Sequence, residues 1–173
     1  MTDSCEVAGP RAETAIGFFD SIVGVHRPKR ITLGALPWKF QGGEAAFCQT
    51  DVLKEGDCAN LATFAYQHYG QLHGLINNVG FYGRASIEET TPELWDKYLN
   101  LNLRSAFYCC KFAIPYMQKS GCGSIINIGS IHGIQPASNL VAYGVAKGGL
   151  LSLTRSLAGT YARDRIRANY IIP

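Results

Sequence analysis

From Gly42 onward, apolar runs of strand length alternate with longer runs of helical period, and this alternation constrains the fold more than any other feature. Strands separated by helices run parallel, because each connection crosses back over the sheet, and this specifies an α/β architecture. Ala45 to Asp51 reads as a strand, and Lys54 to Tyr69 as a helix closed by Gly70. Leu72 to Asn77 is the next strand. Thr91-Pro92-Glu93-Leu94 marks a helix start, with Thr90 or Thr91 as cap and Pro92 tolerated in the first turn. That pattern runs, with one interruption, through Asn102 to about Met117. Ser124 to Gly129 is an Ile-rich strand bounded by glycines, Leu140 to Ala162 a long helix, and Ala168 to Ile172 a final short strand.

The 173 residues fit a single domain, 1–173, with 47% hydrophobic and 17% charged residues, as in soluble globular chains. A formal charge of +3 gives no basis for nucleic-acid binding. The basic stretches His26–Arg30 and Arg163–Arg167 read as solvated turns. No apolar run approaches the ~20 residues of a membrane helix, and no secretory signal pattern opens the chain, so a cytoplasmic location is expected. The six cysteines form no C-x-x-C pair and no metal-ligand spacing with the four histidines; no metal is expected, and Cys109-Cys110 reads as helix packing.

The chemistry concentrates in Tyr143-Gly-Val-Ala-Lys147, with Ser130 thirteen residues upstream. Residues four apart share one helix face. The Lys147 ammonium then lies near the Tyr143 phenol and favours its phenolate, lowering a pKa that is ~10 in isolation. Such a phenol can give a proton to a carbonyl oxygen or take one from an alcohol. Ser130 precedes a short loop into the helix and can hydrogen-bond the same oxygen. A Tyr–Lys pair at this spacing arises by chance ~0.4 times in a chain of this composition, and a tyrosine on an apolar helix face is ordinarily core. The accompanying residues carry the distinction.

Asp51-Val52 ends one strand-like run, Asn77-Asn78-Val79-Gly80 closes another, and Asn102 interrupts the long helical pattern. In this order, with Ser130 and Tyr143–Lys147, the chain from about Gly42 to Pro173 resembles the short-chain dehydrogenase/reductase family, whose hallmarks are N-N-A-G, a catalytic Asn and S…Y-x-x-x-K. Val79 replaces the family's Ala. The resemblance implies a Rossmann-like, doubly wound parallel sheet in three αβα layers, incomplete at both ends. It further implies hydride transfer between NAD or NADP and a carbon bearing oxygen, so a small alcohol or ketone is the expected partner. Tyr143 would be the acid/base, Lys147 would lower its pKa and reach the nicotinamide ribose, and Ser130 would polarise the substrate oxygen. Asn102 would hold a water leading from Lys147 to solvent; its alternative is a kink residue satisfying backbone groups. Asp51 and Val52 would face the adenine, the alternative for Asp51 being a strand-end cap. Asn78 and Gly80 would line the cofactor ribose, while Asn77 bridges strands. His132, Gln135, Phe81 and Tyr82 read as loop or core residues that could border the substrate. Members of the family pair through the helices matching residues 93–117 and 140–162, which implies a homo-oligomer.

Residues 1–41 depart from the family. The nearest string to its T-G-x-x-x-G-I-G loop is Ala8 to Gly17, too long and without the middle glycine, with Glu13 where a phosphate would lie. Ala15 to Val25 reads as the helix after that loop and Arg30 to Leu36 as a strand. Arg167-Ala168-Asn169-Tyr170-Ile171-Ile172-Pro173 resembles the family's R-V-N-x-x-x-P-G, stopping before its glycine. A catalytically silent relative serving as a binding or assembly module, or a fragment lacking cofactor binding, is the alternative reading.

Overall fold

The structure is a computed structural model that describes residues 15–17, 46 and 48–173. Its sheet has four parallel strands in the order β1 (Ala15–Gly17), β2 (Gly74–Asn77), β3 (Gly123–Ile128) and β4 (Ile166–Ile171). Helix α1 (Glu55–Tyr69) precedes β2; α2 (Pro92–Leu99) and α3 (Ser105–Ser120) lie between β2 and β3; α4 (Val141–Thr160) joins β3 to β4. The strands from β2 onward are added in one direction. Right-handed crossovers then place their connecting helices on one face of the sheet.

Burial follows that geometry. Along β2 and β3 every second residue is buried, Leu75 and Asn77 lying beside their register partners Ile125 and Asn127. The intervening Ile76, Ile126 and Ile128 are half-buried on the opposite face. On the covered face, Leu75 and Ile125 meet Cys109, Ala113, Ile114 and Met117 of α3, and α1 adds Cys58, Leu61 and Ala65. Cys109 and Cys110 are therefore packing residues, and burial raises the Cys110 thiol to about 12. A buried polar chain runs through this core. Asn77 Nδ2 donates to Asn127 Oδ1 (2.8 Å), whose amide donates to Thr154 Oγ1 (2.9 Å) on α4. Asn77 thus bridges strands, as its position at the end of β2 implies.

Helix ends are set locally. Thr91 Oγ1 accepts from Leu94 N (3.2 Å) ahead of Pro92, and Gly70 and Gly121 close α1 and α3 with φ of 75° and 85°. The interruption between α2 and α3 is a π turn, Asn100–Arg104, centred on Asn102.

Two sequence expectations are corrected. The described part of the run Ala45 to Asp51, residue 46 and residues 48–51, pairs with no strand among the described residues; Thr50 and Val52 pack inward without a ladder. Ala15–Gly17 is not the start of a helix but a strand, because it pairs with β2, Ala15 opposite Gly74. The expectations for residues 1–14 and for Arg30 to Leu36 lie outside the described residues.

Candidate active site

The predicted chemical residues gather where β2 and β3 end and α4 begins. Ser130 follows β3 by two residues, Asn78 and Gly80 follow β2, and Tyr143 lies in the first turn of α4 with Lys147 one turn further on. In an open parallel sheet, the carboxyl ends of the strands are where ligands bind.

Lys147 is 4% exposed. Its Nζ donates to the Ile128 carbonyl at 2.8 Å and stands 5.9 Å from the centre of the Tyr143 ring. Burial penalises the ammonium and brings its pKa down to about 8. The α4 spacing thus does bring the cation beside the phenol.

The Ser130 hydroxyl accepts from His132 N at 3.2 Å, capping the short turn Ile131–Gly133. That turn presents the His132 ring 6.4 Å from Tyr143. Tyr82, 54% exposed, stands edge-on to Tyr143 at 5.3 Å, and Tyr98 at 6.4 Å. Phe81 packs on Tyr98 and carries the Lys97 ammonium 3.7 Å above its ring. Gln135 is exposed in the loop beyond.

Asn102 is 1% exposed and wholly engaged with backbone. Its Oδ1 accepts from Phe81 N (3.1 Å), while its Nδ2 donates to Phe81 O and to Tyr98 O (both 3.0 Å). The π turn therefore fastens the segment after β2 to the long helix. A methyl group at Gly80 would lie 2.9 Å from Asn102 Oδ1 and 3.6 Å from Lys147 Nζ. Glycine there keeps open the space beside the ammonium.

Asp51 and Val52 lie in the turn that leads into α1. Asp51 caps its own turn: Oδ1 accepts from Leu53 N (3.1 Å) and Oδ2 faces Lys54 Nζ at 3.7 Å. Val52 is 1% exposed, so its side chain packs in the core rather than on a ligand.

Tyr170 was not among the candidates, although its hydroxyl meets both Ser130 and the Lys147 carbonyl. The only signal in the sequence was a pair of glycines, Gly129 and Gly133, on either side of Ser130.

Residues 32–173 match the family model described as enoyl-(acyl carrier protein) reductase. A solved structure from Burkholderia xenovorans, assigned as a short-chain dehydrogenase/reductase, superposes with a TM-score of 0.72 at 33% identity, covering 76% of this chain and 53% of that one. The chain belongs to the short-chain dehydrogenase/reductase family. Within it, a Rhizobium meliloti protein assigned as galactose dehydrogenase GalD is 38% identical over 134 residues, 77% of this chain and 52% of that protein. Glucose 1-dehydrogenase 2 of Bacillus subtilis is 36% identical over 137 residues, 78% of this chain and 53% of that protein. The chain spans about half the length of these short-chain dehydrogenase relatives. No helix among the described residues is long and apolar enough to cross a membrane.

Proposed function

We propose that this chain carries the catalytic centre of an NAD- or NADP-dependent oxidoreductase that interconverts a secondary alcohol and a ketone. The observation that supports this most is the buried Lys147 ammonium, 5.9 Å from the Tyr143 ring and hydrogen-bonded to the strand end that leads to Ser130. A cation held this close to a phenol serves proton transfer: Lys147 is buried, its ammonium donates to a backbone carbonyl, and no carboxylate among the described residues pairs with it.

The residues present fit the nicotinamide end of such a cofactor. Lys147 Nζ has three N–H donors and gives one to Ile128, leaving two for ribose hydroxyls. Gly80 leaves room beside it, and Asn78 flanks the same edge of the sheet. At the adenine end, the Asp51 side chain is 33% exposed and reachable by an amine, whereas the Val52 side chain is not. When bound, a nicotinamide supplies or accepts the hydride at the substrate carbon.

The chain's own part is proton handling and orientation. The Tyr143 phenol gives a proton to the substrate oxygen in reduction and takes it back in oxidation. The Ser130 hydroxyl, already oriented by His132 N, hydrogen-bonds the same oxygen. Asn102 holds the Phe81 backbone and so the wall of the site, and in this reading it also holds a water that connects Lys147 to solvent. Tyr82 and His132 border the substrate. We place the whole chain in one domain. It pairs with a second copy through the helices of residues 93–117 (α2 to α3) and 140–162 (α4), where Phe107 and Val145 are exposed.

Titration of the purified chain with NADH and with NADPH, following nicotinamide fluorescence, tests the reading. Saturable enhancement with at least one of them is expected. No response at millimolar concentration of either overturns it.

A further inference from the structure

We propose that Tyr170 is a positioning residue: its hydroxyl is the tether that holds the Ser130 loop in register with the helix carrying Tyr143 and Lys147. This inference rests on the oxidoreductase reading for its consequence in turnover, but its structural content stands apart from it.

Tyr170 pairs in register with Asn127 and so projects from the edge strand β4 onto the face that α4 covers. Its Oη accepts from Ser130 N at 2.9 Å, and carbonyl oxygens of Ser130 and Lys147 lie at 3.1 and 3.2 Å. A phenol has one proton. The division that uses both capacities across different elements is Ser130 N–H to Tyr170 Oη, then Tyr170 O–H to Lys147 O. Burial raises the Tyr170 pKa above its ordinary value, so that proton stays in place.

The surrounding backbone is shaped for this side chain. A methyl at Gly129 would fall 2.0 Å from the Tyr170 ring, and one at Gly133 would fall 2.6 Å from its Oη and 2.8 Å from the Lys147 carbonyl carbon. Loop and helix backbones also meet directly: methyls at Gly144 and Gly148 would lie 3.1 Å from His132 O and 3.3 Å from Gly133 O. Four glycines thus let a strand side chain reach between two backbones and bond to each. Of the residues joined, one presents the substrate-facing hydroxyl and the other the cation.

Tyr170→Phe in the full chain tests the tether, since the ring is retained and only the hydroxyl is lost. Amide hydrogen exchange at Ser130 is expected to accelerate by about tenfold or more, while Ile125 and Asn127 in β3 keep their protection. Ser130 exchange within about twofold of the parent overturns the proposal. Gly133→Ala, which crowds the tether from the loop side, is expected to accelerate Ser130 exchange in the same way; parent-like exchange there also overturns it. In turnover, kcat is expected to fall about tenfold with the KM for the nicotinamide cofactor within about threefold. A parent-like kcat refutes the positioning role while leaving the oxidoreductase reading intact. A parent chain with no turnover refutes that reading instead, and the exchange rates still decide the tether.

Discussion

Lys147 Nζ donates to the Ile128 carbonyl at 2.8 Å, which ties the charge on α4 to the strand end from which Ser130 emerges. One hydrogen bond thereby joins two elements that the sequence separates by nineteen positions. It also compensates only part of the water that the buried ammonium has lost.

That imbalance gives a pH dependence of known sign. Burial lowers the Lys147 pKa from 10.5 to about 8 in the folded chain. Below about 8 both folded and unfolded states carry the proton, and the folded state bears the full cost of the buried charge. Between about 8 and 10.5 the unfolded chain binds more protons, so stability rises with pH across that window. The gain from this group is at most about 3 kcal/mol. Urea unfolding at steps across the window, compared with Lys147→Met, isolates it; a parent and variant with the same slope would contradict the assignment.

Asn102 is expected to matter for stability independently of any reaction. Asn102→Leu strands Phe81 N, Phe81 O and Tyr98 O in a buried turn. Removing one partner from buried polar groups is costly, so a loss of roughly 2–4 kcal/mol is expected in chemical denaturation. A loss below about 1 kcal/mol would mean the π turn is held by other contacts.

Gly80→Ala should disturb the same spot from the other side. The added methyl meets Asn102 Oδ1 at 2.9 Å, closer than carbon and oxygen tolerate. A destabilisation of about 1–3 kcal/mol is expected from overpacking. Any nicotinamide affinity should weaken with it, as fluorescence titration would show. Unchanged stability and affinity would show that the space beside Lys147 is not confined.

The sequence made local features legible and hid the contacts that span distant segments. Strands β2 and β3 follow from apolar runs closed by Asn or Gly, and the helix ends follow from Thr91, Gly70 and Gly121, each acting within a few residues. The pairing of Tyr143 with Lys147 was legible for the same reason, being one helical turn. Ala15–Gly17 is too short for any period to reveal, and its strand character comes from β2, more than fifty residues away. The run to Asp51 has strand-like composition, but its described part pairs with no strand among the described residues. For Asn102 the kink reading matches the observed hydrogen bonds, which the interruption of the helical pattern signalled. Tyr170 stayed hidden because its partners, Ser130 and Lys147, lie 40 and 23 positions away.

The most direct test of the account is turnover by Tyr143→Phe beside the parent chain, with NADH or NADPH affinity measured on both. The phenolic oxygen is the only atom removed. The account predicts that hydride transfer falls by at least about a hundredfold, the usual worth of a general acid, while cofactor affinity changes by less than about threefold. A variant that retains most of the parent's turnover would contradict it.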